Sequence, residues 1–303
     1  MKKELQQSEM IDVFIKLKST YDQLSKSQKK IAQYILHHYE KAHSMAAVEI
    51  AKEVGVSEAT VVRFSNALGF EGYPEFRKKL QEDVNSKLTT LARIKLSQEA
   101  DAENAAENKY ARKVLKKDIA AIADTMATLN DPAFEESAKA IAAAKKVFII
   151  GFRTTGMLVE YLGYYLNLIL DDVRIINHSN LDFYEHLIKA TSEDVVIAIS
   201  LPRYAQRTIE AAAFLQGRGP KLIAITDNEN APLCQYADYV LPVKSRVYSF
   251  VDSLVAPMSL INALVIAVGN QNLDKTKASF EEMEKIWQQQ ETYAGDRVEG
   301  INS

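Results

Sequence analysis

From Leu24 to Val84 apolar residues recur at helical spacing, with Gly55, Gly69 and Gly72 as punctuation, which predicts a compact all-helical unit. Within it Val61, Phe64 and Leu68 form the buried stripe of a helix expected over Glu58 to Leu68, and Gly69 follows as its stop. Ser57 stands at the N-cap position, where a hydroxyl accepts from a first-turn N–H. The other stripe of that helix, Ala59, Thr60, Arg63 and Asn66, is short, polar and rich in donors. Residues 86–113 hold Ala, Glu, Asn and Lys with few large apolar groups after Leu96, and read as a partly helical, exposed linker. From Val114, the positions Ile119, Ile122, Met126 and Leu129 predict an amphipathic helix that stops before Asp131 and Pro132.

The pattern then shifts to short apolar runs separated by helical stretches: KVFIIG (146–151), VRIINH (173–178), DVVIAIS (194–200), KLIAIT (221–226) and DYVLPV (238–243). Continuous apolar runs are what strands covered on both faces require. They predict a doubly wound, five-stranded parallel sheet of flavodoxin-like type. The segment from Phe250 to Val268 is apolar but contains Asp252, Ser253, Pro257 and Asn262, so it reads as a buried or interface helix and not as a membrane span. After Gly269 the chain turns polar, and EEMEKIWQQQ predicts a weak helical tail. The expected organisation is an all-α domain over 1–85, a linker over 86–113, an α/β domain over 114–275 and a polar tail over 276–303.

Composition narrows the classes. A chain of 303 residues with 47% hydrophobic content has material for about two cores. It has no run of about eighteen apolar residues, and its start, MKKELQQSEM, lacks the apolar centre of a signal peptide, so a cytoplasmic protein without membrane contact is expected. Cys234 is the only cysteine, which excludes an internal disulfide and a thiolate metal cluster, and the five histidines lack the spacing of a helical zinc pair. No metal or cofactor is expected. The net charge of −3 argues against an indiscriminate polyanion binder. Residues 1–90 carry 14 Lys+Arg against 12 Asp+Glu, and the remainder 23 against 28, a mild asymmetry that suits a DNA-contacting unit on an acidic partner domain.

The segment MAAVEIAKEVGVSEATVVRFSNALGF has the layout of two helices meeting at a tight turn: Ala51 is small where they cross, Gly55 can take the left-handed conformation, and Val56 plugs the corner. Such a pair presents the start of its second helix to the major groove, where Ser, Thr, Asn and Arg reach base edges and phosphates. Arg63 is the leading candidate for a base or phosphate contact. Ser57, Glu58, Thr60, Arg63, Asn66, Tyr73 and Lys78 form the expected DNA-contacting set, with Arg77 and Lys79 adding cations for the backbone. An ordinary helical hairpin with Arg63 and Lys78 merely solvated fits the same spacing.

Beyond the spacing, "LSKSQKKIAQYIL" and "VSEATVVRFSNALGFEGYPEFRKKL", followed by the α/β half, resemble the RpiR/MurR family of bacterial transcription regulators, over about Leu24 to Gly269. The resemblance implies a helix-turn-helix DNA reader joined to a SIS (sugar isomerase) domain that senses phosphorylated sugars.

In the α/β half two turns follow strands at places where a doubly wound sheet binds ligands. Gly151-Phe-Arg-Thr-Thr-Gly156 follows the first run, and Ser200-Leu-Pro-Arg-Tyr-Ala the third. The expected effector set is Gly151, Arg153, Thr154, Thr155, Ser200, Arg203 and Tyr204. Where many SIS domains have G-x-G-x-S, this chain has Gly151, Arg153 and Thr155; where they have S-x-S-G-x-T, it has Ser200, Pro202, Arg203 and Ala205; and T-D-x-x-x-S-P-L survives as Thr226-Asp227 with Ala231-Pro232-Leu233. The two gained arginines favour an anionic effector, a sugar phosphate or sugar acid. Surface or dimer-interface salt bridges are the other reading of Arg153 and Arg203. A sugar-phosphate isomerase would need a base, for which Glu160, His178, Glu185 and His186 are candidates without a supporting constellation, and no catalytic residue is assigned. The expected partners are double-stranded DNA with a palindromic operator, the small anionic effector, and further copies of the chain in a homodimer or homotetramer, for which the segment from Phe250 to Val268 offers an interface.

Overall fold

In the computed structural model, which describes residues 13–43, 45–87, 90, 93–94, 110–177, 183–245 and 247–293, the N-terminal helices follow the apolar periodicity closely. They are α1 (Val13–Thr20), α2 (Lys26–His37), α3 (Tyr39–Ala42), α4 (Ala47–Val54), α5 (Glu58–Ala67) and α6 (Tyr73–Lys87). Sequence signals fix their ends. Ser25 and Gln28 form a reciprocal capping box at the start of α2. Gly55 ends α4 at φ 70°, a left-handed conformation that frees the chain to turn into α5. Val61, Phe64 and Leu68 are buried as expected, and they join Ile31, Ile35, Ile50, Phe76 and Leu80 in one core. An edge-on pair of rings, Phe64 against Phe76 at 5.6 Å, stands at its centre.

The chain divides into two compact units, Met1–Lys117 with Arg246–Ser253, and Asp118–Ser245 with Leu254–Ser303. The second unit is a parallel sheet in the order β2-β1-β3-β4-β5, made of Val147–Ile150, Val173–Ile176, Val195–Ile199, Lys221–Thr226 and Tyr239–Pro242 for β1 to β5. All five coincide with the apolar runs. Residues alternate between two cores along each strand. Ile149, Ile197 and Ile225 face one, with α8 (Asp131–Ala143), α9 (Thr155–Ile169) and α12 (Val255–Gln271) packed on it. Ile150, Val196 and Ala224 face the other, under α10 (Tyr184–Leu187) and α11 (Gln206–Leu215). A last helix, α13 (Leu273–Gln289), lies in the stretch expected to be a polar tail.

Three expectations need correction. The helix α7 (Tyr110–Ala127) forms, but of its four expected core residues only Leu129, just beyond its end, packs against the core. Ile119 is 67% exposed and Met126 73%, while the adjacent seam of Asp118, Ala121 and Thr125 is buried. Small groups allow the close approach, and the Thr125 hydroxyl accepts from the Lys244 N–H at 3.0 Å. Second, the helix expected from Phe250 begins only at Val255. Ser249, at φ 58°, instead turns the chain into a two-stranded hairpin, β6 (Val247–Tyr248) with β7 (Val251–Asp252). One side of α12 is buried in its own unit, whereas Val255 and Ile266 on the same helix are 43% and 64% exposed. Third, Arg93 lies within the expected exposed linker yet is buried, and pairs with Asp252 at 2.7 Å.

Candidate functional site

On α5 the polar stripe is organised before any ligand arrives. Ser57 caps the helix, its Oγ accepting from the Thr60 N–H at 3.3 Å. The two hydroxyls of Ser57 and Thr60 lie 2.8 Å apart, and Arg63 Nη2 donates to Thr60 Oγ1 at 3.5 Å. Ser57, Thr60 and Arg63 thus form one hydrogen-bonded row along the first two turns. Glu58, Arg63 and Asn66 are exposed, as is Lys78 on α6. From α2, Gln28 donates to the Arg63 carbonyl at 3.4 Å and ties the row to the domain, a brace that the sequence pattern does not announce.

Tyr73 departs from the expected set. It is 5% exposed and its hydroxyl donates to the Met45 carbonyl at 2.8 Å. Burial pushes its pKa up to about 12. The group expected to touch DNA phosphates serves the core instead, because the aromatic ring was needed beside Phe76.

The second constellation sits at the carboxyl end of the sheet. Strand order 2-1-3-4-5 reverses between β1 and β3, so the loops after these two strands open at the crossing point where such sheets take ligands. The loops touch. A Cβ added to Gly151 would lie 2.9 Å from Thr155 Oγ1 and 3.2 Å from the Ile199 carbonyl, so only glycine fits there. Arg153 and Arg203 are both exposed and both left-handed, at φ 62° and 66°. For a residue with a Cβ this conformation costs about 1–3 kcal/mol. Neither α9 nor α11 has a side-chain cap: Thr154 and Ala205 occupy the cap positions without making the bond.

Ser200 is 1% exposed, and its Oγ has no hydrogen-bond partner among the described residues, the kind of buried donor that a ligand satisfies. Thr155 is buried with its hydroxyl donating to the Phe152 carbonyl at 2.9 Å, so it shapes the loop. Tyr204 also differs from expectation: its hydroxyl donates to Asp227 at 2.9 Å, and burial beside that carboxylate holds it protonated. It braces the β3 loop against the end of β4. The sequence reading missed Arg207, whose guanidinium stacks 4.5 Å from Phe152 and 5.3 Å from Phe183. Its place in the first turn of α11 was the available signal.

The candidate catalytic groups do not converge. Glu160 accepts from the Asn177 amide, while Glu185 and His186 are exposed on the short α10. His178 lies outside the described residues. Cys234 is partly buried and burial pushes its thiol up to about 11, away from nucleophilic use. An open groove of about 540 Å³ runs elsewhere, along one face of α13 from Thr276 to Lys285. A single helix lines it, with Phe280 flanked by Lys277, Glu281, Glu284 and Lys285.

Among the described residues no helix is long and apolar enough to cross a membrane. Residues 11–87 match the helix-turn-helix domain of the rpiR family, and residues 140–267 the SIS domain. An uncharacterized HTH-type transcriptional regulator of Haemophilus influenzae is 29% identical over 230 residues, covering 76% of this chain and 79% of its own length. Among solved structures, the NanR protein of Vibrio vulnificus, complexed with ManNAc-6P, covers 91% of this chain and 97% of its own at a TM-score of 0.57 and 19% identity. The sugar isomerase domain of an RpiR transcription factor from Sphaerobacter thermophilus covers 59% of this chain and 99% of its own, with a TM-score of 0.56 and 23% identity.

Proposed function

Because the chain belongs to the RpiR family of helix-turn-helix transcriptional regulators that carry a SIS domain, we propose that it reads a palindromic operator and releases or reshapes that contact when a phosphorylated sugar or sugar acid fills the β1–β3 crossing point. The observation that carries the DNA-reading half is the exposed, pre-bonded row Ser57–Thr60–Arg63 on the second helix of the motif. The effector half is supported by unpartnered Ser200 between two loops that each hold an arginine. The likeness to NanR, solved with ManNAc-6P, is in keeping with a phosphosugar. A sensor needs binding and release without turnover, and the scattered Glu160, Glu185 and His186 suit that role better than an isomerase. Such a protein works in the cytoplasm, beside the DNA. We assign DNA reading to residues 1–85 and effector binding to residues 114–275, with 86–113 between them.

A thermal-shift screen of phosphorylated sugars, sugar acids and other small anions tests the effector half. A hit should also change DNA affinity, by about 5- to 150-fold for a coupling of 1–3 kcal/mol. Ligands that stabilise the protein yet leave DNA affinity untouched would remove the link. Turnover of a stabilising sugar phosphate by the purified protein would favour the isomerase.

A homodimer would bring two recognition helices to two half-sites. The contact we propose is the outward seam of α7. Leu115, Ile119, Ile122 and Met126 are exposed and spaced by four, three and four residues, the heptad spacing of helix-on-helix packing. Arg112, Lys113, Lys116 and Lys117 crowd the first half of the helix and exposed Asp124 stands in the second, so an antiparallel copy meets opposite charge. Ile119→Lys should convert the protein to monomer in sedimentation velocity, and an unchanged sedimentation coefficient would move the contact elsewhere.

A further inference from the structure

We propose that Val62 is a specificity-determining residue: together with Ala59 it forms an apolar strip on α5 that meets the C5-methyl group of a thymine in the major groove. The assignment rests on the reading of α5 as the DNA-contacting helix and deepens it by naming a base.

Among the described side chains of residues 13–83, two large apolar groups are exposed, Val48 and Val62, and both lie in the helix-turn-helix. Val62 is 36% exposed and takes no part in the core that Val61, Phe64 and Leu68 enter from the other side of the same helix. Folding gains little from it there. A β-branched residue on an exposed helix face is a weaker helix former than alanine or lysine. Its neighbours give it a use. At helical spacing Val62 follows Ala59 by three residues and precedes Asn66 by four, so the three share one face, and Arg63, four residues after Ala59, flanks it. All four are exposed. Ala59, with a single methyl group, lets the helix approach a base edge closely, and Val62 stands beside it with neither donor nor acceptor in its side chain.

In the major groove only thymine offers a methyl group, whereas cytosine and adenine present amino groups and guanine two acceptors. Against an amino group or a bare acceptor, Val62 would strip water and return no hydrogen bond, an unfavourable exchange. Against thymine it covers one apolar group with another. Arg63 and Asn66 favour guanine and adenine by paired hydrogen bonds, and neither accounts for an apolar side chain on the same face. Side chains three or four residues apart on a helix stand about 5–6 Å from each other, and successive bases of a strand about 3.4 Å. The thymine therefore lies within about two base pairs of the base that Asn66 meets.

Selection by the full chain from a random duplex pool at near-physiological salt yields the preferred sequence. Fluorescence anisotropy then compares that duplex with one in which deoxyuridine, which lacks only the methyl group, replaces each thymine, for the parent and for Val62→Ala. The variant should melt with the parent, because the side chain it shortens lies outside the core. For the parent, loss of the methyl group should weaken binding by about 4-fold per half-site, or about 16-fold for a palindrome, the factor that one buried methyl group contributes. Val62→Ala should bind the two duplexes alike, with the salt dependence of the parent, since no phosphate contact is removed. Equal affinity of the parent for both duplexes, a thymine preference that persists in Val62→Ala, or selected sequences that share no thymine overturns the assignment and leaves base reading by Arg63 standing. A loss in Val62→Ala that is the same on both duplexes also overturns it and places Val62 against another partner, such as a second copy of the chain. If no preferred sequence emerges from the pool, the reading of α5 as a sequence reader falls with it.

Discussion

Arg63→Ala will weaken binding to operator DNA by about 5- to 150-fold, the 1–3 kcal/mol that a bidentate base contact supplies, and will leave ligand-induced thermal stabilisation unchanged. The row to which Arg63 belongs explains why the loss should be steep. Its guanidinium already rests on Thr60, whose backbone N–H and hydroxyl are both engaged with Ser57. Ordering that would otherwise be required on binding is partly complete in the free protein, so the contact keeps more of its energy. Electrophoretic mobility shifts with matched and scrambled sequences read the effect. If the substitution weakens both sequences equally, Arg63 contacts only the phosphate backbone.

Phe64→Ala will unfold the N-terminal unit at temperatures where the second unit remains native. Phe64 is fully buried, and its ring meets Phe76, which in turn meets Phe70 at 5.5 Å and Tyr73 at 6.0 Å. Truncating such a side chain costs about 3–5 kcal/mol, most of the stability of a small domain, and lowers its midpoint on the order of 15 °C. The sheet unit has cores of its own, none of whose residues belongs to this cluster. Differential scanning calorimetry should therefore show one transition move and one stay. A single transition shifting as a whole would mean that the two units unfold together.

How far the sequence announced this depends on how much each position was constrained. The strands were legible because a residue run such as VVIAI, buried along its whole length, leaves no polar position to confuse the pattern. The helix pair was legible through Ser57 and Gly55, whose roles at a cap and a left-handed turn depend on a few local atoms. The helix α7 misled for the opposite reason. Its large apolar residues point outward while Ala121 and Thr125 pack inward, a choice made by the surface it meets and invisible in its own periodicity. Tyr73 and Tyr204 were read as free hydroxyls, but each found an acceptor far along the chain, Met45 and Asp227. The left-handed backbone of Arg153 and Arg203 was hinted at only by the glycines that the resemblance places there; no propensity rule predicts arginine in that conformation.

The central claim is that the exposed row of α5 reads base sequence and does not merely attract phosphate. Fluorescence anisotropy of the full chain on DNA flanking its own gene, against a scrambled duplex of the same length at near-physiological salt, measures this directly. The account predicts a preference of about 1,000-fold or more for the native sequence, reduced by about 5- to 150-fold in Arg63→Ala. Equal affinity for the two duplexes, with the same salt dependence, would contradict it.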